Sequence, residues 1–374
     1  MKFTVSSQLL NTRLQNLAKV IASKNAMSIL ENFLFEVNNG VLTITTSDNE
    51  NTMKSRLQLD EADSDGRITI RSRTLLEAVK ELPDQPLQFD IDTESMAIKI
   101  HYQNGEYNLT GQPADEYPIA KGVEGECASL VIDAESLIDS VGRAIFATAQ
   151  DELRPVMNGV YFDLNQEHLI IVATDGHKMV RNLLPDIKSE QPAAFVLPKK
   201  PATLLRSILT KEDGDVTIKF NNSNAEIMFA SGSLTCRLIE GKYPNYNAVI
   251  PQNNNNKLTV DRKAFLSGLR RVLPFASESS ELVRLQMTNG KLEISSEDID
   301  FAVSAKESLI CDYNGQPMEI GFRGSALLEI LSNLESEQVD MLLASPSDAG
   351  IIVPTEQTDK VSVLMLIMPM LLND

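Results

Sequence analysis

The chain repeats itself three times, and that periodicity limits it to folds assembled from like parts. Leu9, Leu137 and Phe265 lie 128 residues apart at matching points of three similar helical patterns. Apolar strands running into acidic turns recur as VLTITTSDNE (41–50), LIIVATDGHK (169–178) and LEISSEDIDF (292–301). A second helical pattern recurs as TLLEAVKEL (74–82), TLLRSILTK (203–211) and ALLEILSNL (326–334). Each third ends on an aromatic or Met before Pro, at Tyr117-Pro118, Tyr243-Pro244 and Met368-Pro369. Four landmarks in one order imply three copies of one domain, expected at 1–126, 127–251 and 252–374. Each copy, at roughly 125 residues, can bury its own core. KGVEGE (121–126) and PQNNNNK (251–257) read as the linkers between them. Triplication points to an arc or ring built by symmetry more than to a single catalytic cleft.

Within each third the pattern is strand, helix and three strands, given twice. In the first third a strand over 2–6 leads into a helix from Ser7 to Ile21, with strands near 30–38, 41–47 and 51–59. The order restarts with a strand at 67–71, a helix at 74–82, and strands near 86–92, 96–102 and 105–111. Asn39-Gly40, Asn104-Gly105 and Asn289-Gly290 sit between alternating apolar residues, the signature of two-residue hairpin loops. The expected class is α+β, with antiparallel sheets carrying helices on one face.

The charge is unevenly placed. The whole chain carries −18, which by itself argues against nucleic acid. Yet the six helical segments (6–24, 72–82, 134–150, 199–211, 261–273 and 323–334) together hold 15 Lys or Arg against 6 Asp or Glu. Three of the six carry the excess, and the acid lies on strands and turns. In 261–273, Phe265, Leu266, Leu269, Val272 and Leu273 fill one arc while Lys263, Arg270 and Arg271 fall on the other. Lys19, Arg143 and Arg206 likewise fall opposite their apolar arcs, and Arg13 projects into one. A single basic face is usually a solvated face. Repeated in so acidic a chain, it implies a surface that meets phosphate, with Lys24, Arg73, Arg143, Lys199, Lys200, Arg206, Arg270 and Arg271 as candidates.

Little in the sequence specifies catalysis. There is no glycine-rich phosphate loop of either common spacing. His101 and His168 sit in strand patterns without Cys or carboxylate at ligand spacing, so no metal and no cofactor are expected. ATDGH (173–177) is the one cluster with catalytic elements, and a hydrolase or nucleotide enzyme using Asp175 and His177 is the alternative reading. A strand-ending Asp-Gly loop is more often a turn. The three separated cysteines, Cys127, Cys236 and Cys311, form no disulfide framework, so a reducing cytoplasm is expected. The longest apolar run, Val363–Leu372, has ten residues and contains a Pro, too short for a membrane span. Two stretches remain unexplained: the aromatic, Pro-containing GKYPNYNAVIP (241–251), and the apolar tail beyond Pro369, which a strand ladder cannot absorb.

MKFTV at the start, ATDGHK, EGKYPNY, MEIGFRGSALLEIL (318–331) and the final MPM together resemble the bacterial sliding-clamp family, the beta subunits of DNA polymerase III, over the whole chain. The resemblance implies three like domains per chain and two chains closing head to tail into a ring, with helices lining the hole and sheets outside. It implies a non-catalytic processivity factor whose partners are double-stranded DNA, a second copy of itself, the replicative polymerase, the clamp loader and other clamp-binding peptide motifs, with no membrane. The family's partner pocket falls here on Arg154, Met157, Thr174, Gly176, His177, Lys178, Met179, Pro244, Val249, Ser347, Met368, Pro369, Met370 and Leu371. Its DNA contacts fall on Lys24 and Gln150. The dimer seam is expected to bring Tyr107 and Leu109, on an edge strand, against Pro274 and Phe275 at the end of a basic helix. Lys178 stands where Arg is usual, Ala248 replaces a long basic residue, and Pro155-Val156 replace aromatics, departures that bear on partner preference.

Overall fold

The computed structural model describes residues 1–22, 27–118, 122–210 and 212–372. The first third contributes β1 (Lys2–Ser6), α1 (Ser7–Ala18), β2 (Asn32–Asn38), β3 (Val41–Ser47), β4 (Asn51–Gln58), β5 (Glu61–Ala62), β6 (Gly66–Arg71), α2 (Ser72–Lys80), β7 (Pro86–Asp92), β8 (Ala97–Tyr102) and β9 (Gly105–Thr110). The second contributes β10 (Ala128–Asp133), α3 (Ala134–Ile145), β11 (Gly159–Leu164), β12 (Leu169–Thr174), β13 (Lys178–Leu184), β14 (Ala193–Pro198), α4 (Lys199–Leu209), β15 (Asp215–Phe220), β16 (Asn224–Phe229) and β17 (Gly232–Arg237). The third contributes β18 (Asn256–Asp261), α5 (Arg262–Val272), β19 (Leu282–Thr288), β20 (Lys291–Asp298), β21 (Val303–Ile310), β22 (Asp312–Tyr313), β23 (Met318–Arg323), α6 (Gly324–Ser332), β24 (Gln338–Leu343), β25 (Gly350–Pro354) and β26 (Ser362–Ile367). The doubled order of strand, helix and three strands is present in every copy. The expected α+β class, three tandem copies of one domain, is the observed one.

The chain forms two compact units, Met1–Ile138 with Lys200–Leu238, and Asp139–Lys199 with Ile239–Asp374. The first holds a five-stranded sheet, β5-β1-β7-β8-β9, and an eight-stranded sheet, β10-β15-β16-β17-β4-β3-β2-β6. The second holds a nine-stranded sheet, β14-β11-β12-β13-β26-β25-β24-β18-β22, and a four-stranded sheet, β21-β20-β19-β23. Each large sheet is shared between neighbouring thirds. The seam β17–β4 sets Leu234 opposite Met53, and the seam β13–β26 sets Met365 opposite Val180. Helices cover these sheets. In the first unit α1 packs on β3 and β4 beside α2; in the second α5 packs on β20 and β21 beside α6.

Matching side chains start and stop the matching elements. Ser6, Asp133 and Asp261 each accept a hydrogen bond from the backbone N–H three residues on, at 3.3, 2.9 and 2.7 Å, and so cap the first helix of each third. Four residues past each cap stand Leu10, Leu137 and Phe265, all fully buried. The expected equivalence of Leu9 is therefore off by one. Leu9 is 40% exposed, because one residue of slip turns a helical position by about 100°. The acidic turns are equally repetitive. Asp48 accepts from the amides of Glu50 and Asn51, Asp175 from those of His177 and Lys178, and Asp298 from those of Asp300 and Phe301. Each carboxylate closes its own turn and reverses the strand.

Three other expectations need correction. Asn39-Gly40 and Asn289-Gly290 are two-residue loops, with Asn39, Gly40 and Gly290 at positive φ. In β8–β9 the loop is Gln103-Asn104, and Gly105 already belongs to the strand. A Cβ at Gly105 would lie 2.6 Å from the Tyr102 hydroxyl, so this glycine makes room for a ring that packs at a tilt against Tyr107. The four-Asn stretch is no loose linker: the Asn254 amide donates to the Leu342 and Ala349 carbonyls, both at 2.9 Å, and Asn256 opens β18. Finally, Met368 N donates to His177 O just as Arg237 N donates to Glu50 O. Met368 thus matches Arg237, not Tyr243.

Replacing Asn254 with Ala strands two carbonyls and should lower unfolding free energy by about 1–3 kcal/mol. Ala at exposed Asn253 should change it by less than about 0.5 kcal/mol. Urea unfolding of the two variants measures the difference.

Candidate functional site

In the second unit, the segments singled out as unexplained meet on one sheet face. Met179 on β13 and Leu366 on β26 lie opposite each other and join Tyr243, Tyr246 and Ala349 in one buried cluster. The apolar run reads correctly as a central strand up to Ile367, since β26 lies between β13 and β25. Beyond it the tail emerges. Met368 is 41% and Leu371 81% exposed, and Pro244 and Val249 are exposed beside the buried cluster. Met370 N donates to Gly321 O at 2.8 Å, pinning the tail to β23. A Cβ on Gly321 would lie 2.7 Å from Leu372 and 3.0 Å from Met370 O, so glycine is what lets the tail lie there. The exposed apolar side chains of the tail and of the 244–249 stretch thus border a buried apolar cluster.

The 174–179 turn forms one wall. Thr174 Oγ1 donates to Lys178 O at 2.8 Å, and Gly176 turns at φ +92°. A side chain on Gly176 would crowd Arg154 Nη1 at 3.2 Å, with Met157 just beyond. Arg154 is half exposed and held by Asp151 at 2.7 Å. Met157 is buried below the turn, and Ser347 is exposed on the loop that Asn254 ties down. The opposite wall is rigid: Tyr243 stacks on Tyr161 at 4.5 Å, and the Tyr246 hydroxyl donates to Asp163 at 2.7 Å. Tyr161, Tyr243, Tyr246 and Leu366 were not among the expected pocket residues. For Tyr161 and Leu366 the signal was the alternation of β11 and β26, and for Tyr243 and Tyr246 it was the aromatic stretch 241–251 itself.

Two polar residues of the turn are engaged with each other. Lys178 does not offer a free cation, since its Nζ meets Asp175 at 2.6 Å and Glu329 at 3.3 Å. Burial works to raise the Asp175 carboxyl, but the hydrogen bonds from Lys178 and from the Lys178 and His177 amides outweigh it and hold its pKa low. Burial likewise works to lower Lys178, and its two carboxylates outweigh that and raise it. Both Asp175 oxygens are thereby committed to the turn, which leaves the exposed His177 no oriented carboxylate of the kind a general base needs.

The expected basic residues divide into two groups. Arg206 and Arg270 are exposed, and among the described residues they form no ion pair; Gln150 is also exposed. Arg73 is exposed beside Glu77, and Arg271 pairs with Glu307. Such surface pairs hold their partners by less than about 1 kcal/mol and leave the cation available. Arg143 is different: its side chain is mostly buried, held by Asn182 at 3.2 Å and Asp139 at 3.6 Å. Lys200 binds Asp48 and the Val20 carbonyl, fastening the end of the first helical segment, and Lys199 is half-buried. Arg13, the misfit of its helix, lies inward against Glu212 and Ser231. Lys24 lies outside the described residues. Tyr107 and Leu109 lie on β9, an edge strand, and Pro274 and Phe275 are exposed after α5.

Comparison with known proteins covers the full chain. Residues 1–121, 131–245 and 247–371 match, in order, the N-terminal, central and C-terminal domains of the DNA polymerase III beta subunit family. The chain is similar to the beta sliding clamp of Pseudomonas aeruginosa, at 29% identity over 98% of this chain and 99% of that one. It is similar to that of Escherichia coli K12, at 26% identity over 99% and 100%. Among solved structures, a sliding clamp of Pseudomonas aeruginosa bound to griselimycin superposes with a TM-score of 0.93 at 28% identity, covering all of both chains.

The opposed shifts of Asp175 and Lys178 define a pH window for the turn. With its pKa lowered, Asp175 stabilises the fold above its ordinary value of 3.8, and that contribution disappears as pH falls through the lowered value. With its pKa raised, Lys178 contributes below its ordinary value of 10.5 and loses that contribution as pH rises through the raised value. The stability gap between the native protein and Asp175→Asn should be flat from pH 5 to 9 and close in strong acid, read from denaturation midpoints across that range.

Proposed function

The chain belongs to the DNA polymerase III beta-subunit family, the sliding clamps, and on that premise we propose that two copies close head to tail into a non-catalytic ring around duplex DNA. In this reading the ring tethers the replicative polymerase and other partners in the cytoplasm, and the three clamp domains are 1–126, 127–251 and 252–374. One observation carries the ring: two sheets are completed inside the chain by seams of one register, while β9 and β21 remain edges of the five- and four-stranded sheets. Long exposed edges invite pairing, and a head-to-tail contact ends in a closed ring when its rotation permits. Counting from the repeated Asp turn, Met53 and Val180 correspond to Val303; counting from the β16–β17 and β8–β9 loops, Leu234 corresponds to Tyr107. Tyr107 of the partner subunit then faces Val303, and Leu109 of the partner subunit faces Phe301, which is 78% exposed in the single chain. Pro274 and Phe275 supply further apolar cover.

Duplex DNA is held by enclosure and by Lys and Arg that reach only phosphate. Exposed Arg73, Arg206, Arg270 and Arg271 are the strongest contributors, with Gln150, Lys199, Lys200 and Lys24 in support; Arg143 is largely spent on Asn182 and Asp139. Such contacts displace counterions and read no bases, so affinity should be weak, salt-dependent and indifferent to sequence. Leu109→Asp combined with Phe275→Asp should yield monomers in sedimentation and abolish retention on nicked circular DNA. A dimer that persists would place the seam elsewhere.

Partners dock by a short peptide with one or two apolar anchors in the groove formed by the 174–179 turn, the 244–249 stretch and the 368–371 tail. Its apolar floor with few polar groups is the pattern of peptide and small-molecule sites. Burying two large side chains yields about 3–6 kcal/mol before ordering costs, so a single site binds at about micromolar strength and partners compete for it. Removal of Met368–Asp374 should abolish binding of a polymerase-derived peptide, measured by fluorescence anisotropy, while the dimer remains. Peptide binding that survives the deletion would move the site.

A further inference from the structure

Arg181 lies on β13 two residues beyond Met179, so the two side chains share one face of the sheet. Its neighbours across the ladders are Val172 and Leu364, and those of Met179 are Thr174 and Leu366. Arg181 therefore stands one pleat along the sheet from Met179, about 7 Å away. It is half-buried, and its Nε is enclosed without a hydrogen-bond partner. Among the described residues it makes no ion pair. Burial pulls its pKa down, with Tyr246 acting in the other direction. The carboxylate on the same face, Asp163, is engaged by the Tyr246 hydroxyl. Of the other cations nearby, the mostly buried Lys178 is held by Asp175 and Glu329, while the half-exposed Arg154 makes a surface pair with Asp151. A partly desolvated guanidinium with unused donors is costly unless an anion satisfies it. Its planar fork suits a carboxylate.

We propose that Arg181 is a carboxylate-binding position of the groove, taking an Asp or Glu side chain that stands two residues from the apolar anchor of an extended partner peptide. The inference rests on the groove reading above. The two-residue offset follows from strand geometry, since two residues of extended peptide span about the distance from Met179 to Arg181. It places any preference for an acidic peptide at Arg181 and not at Arg154 or His177.

The test uses the full-length protein and short peptides with one Leu-Phe anchor, carrying Glu or Gln two residues before or two residues after it. Binding is read by anisotropy at low and high NaCl. In the native protein one of the Glu peptides should bind about tenfold tighter than its Gln twin, a gap that narrows as salt rises. In Arg181→Met that gap should vanish while the Gln peptide binds as before, and Arg181→Lys should restore part of it. A gap that survives Arg181→Met assigns the preference to another cation and overturns the proposal. Equal weakening of both peptides by Arg181→Met makes Arg181 a structural residue only, with the same consequence. The absence of any Glu preference in the native protein refutes the carboxylate site while leaving the groove intact. Failure of all four peptides to bind removes the groove reading itself, and this inference with it.

Discussion

The architecture depends on one interaction, the antiparallel pairing of the last strand of one copy with an inner edge of the copy before it. Each third makes strands on both of its flanks and completes neither sheet alone. The seam β17–β4 runs from Gly232↔Ser55 to Cys236↔Asn51, and β13–β26 runs from Lys178↔Ile367 to Leu183↔Ser362. An open strand edge carries unpaired amides and carbonyls that water satisfies only at the surface. Covering it with the next copy turns a liability into the rule of assembly within the chain. Cys236, at the end of one seam, shows how dry it is: burial drives its thiol up to about 12.

The same economy governs the turns. One Asp placed after the second strand of each motif caps its own turn in all three copies, and two of these carboxylates also take a lysine, Lys200 for Asp48 and Lys178 for Asp175. In the first unit that pairing fastens the end of a helical segment; in the second it stiffens a groove wall. A residue pattern that looked catalytic, Asp two positions before His, is thus explained by backbone geometry. The groove arises from leftovers of the repeat. It sits where the tail passes the strand it has completed and leaves Met368 and Leu371 with no further copy to cover them.

Much of this was legible in the residues, because alternation and turn chemistry are local. The strands of the first third fall within about two residues of expectation, and the fold class follows from their order. The errors also have local causes. Leu9 and Leu10 are both leucines, so only the cap at Ser6 settles which one is buried. Asn104-Gly105 carries a turn signature, yet the ring of Tyr102 needs that glycine inside the strand. Four asparagines in a row read as linker, while two of them hydrogen-bond to carbonyls 88 residues away, and no short window contains such partners. Arg143 sits on the polar arc of its helix, but Asn182 of another strand captures it. Arg181 drew no notice, since one arginine in an alternating strand normally faces water.

The tail's attachment has a mechanical consequence. Met368 continues directly from β26, which is bonded along its length to β13 on one side and over Met365–Ile367 to β25 on the other. A protein gripped at Met368–Leu371 and dragged along a filament therefore pulls on the end of a central strand, parallel to its axis. Force applied that way meets all the rungs of two ladders at once, in shear, and does not peel them one by one as it would at a hairpin tip. Anything that gripped this tail would therefore give way before the strand beneath it did.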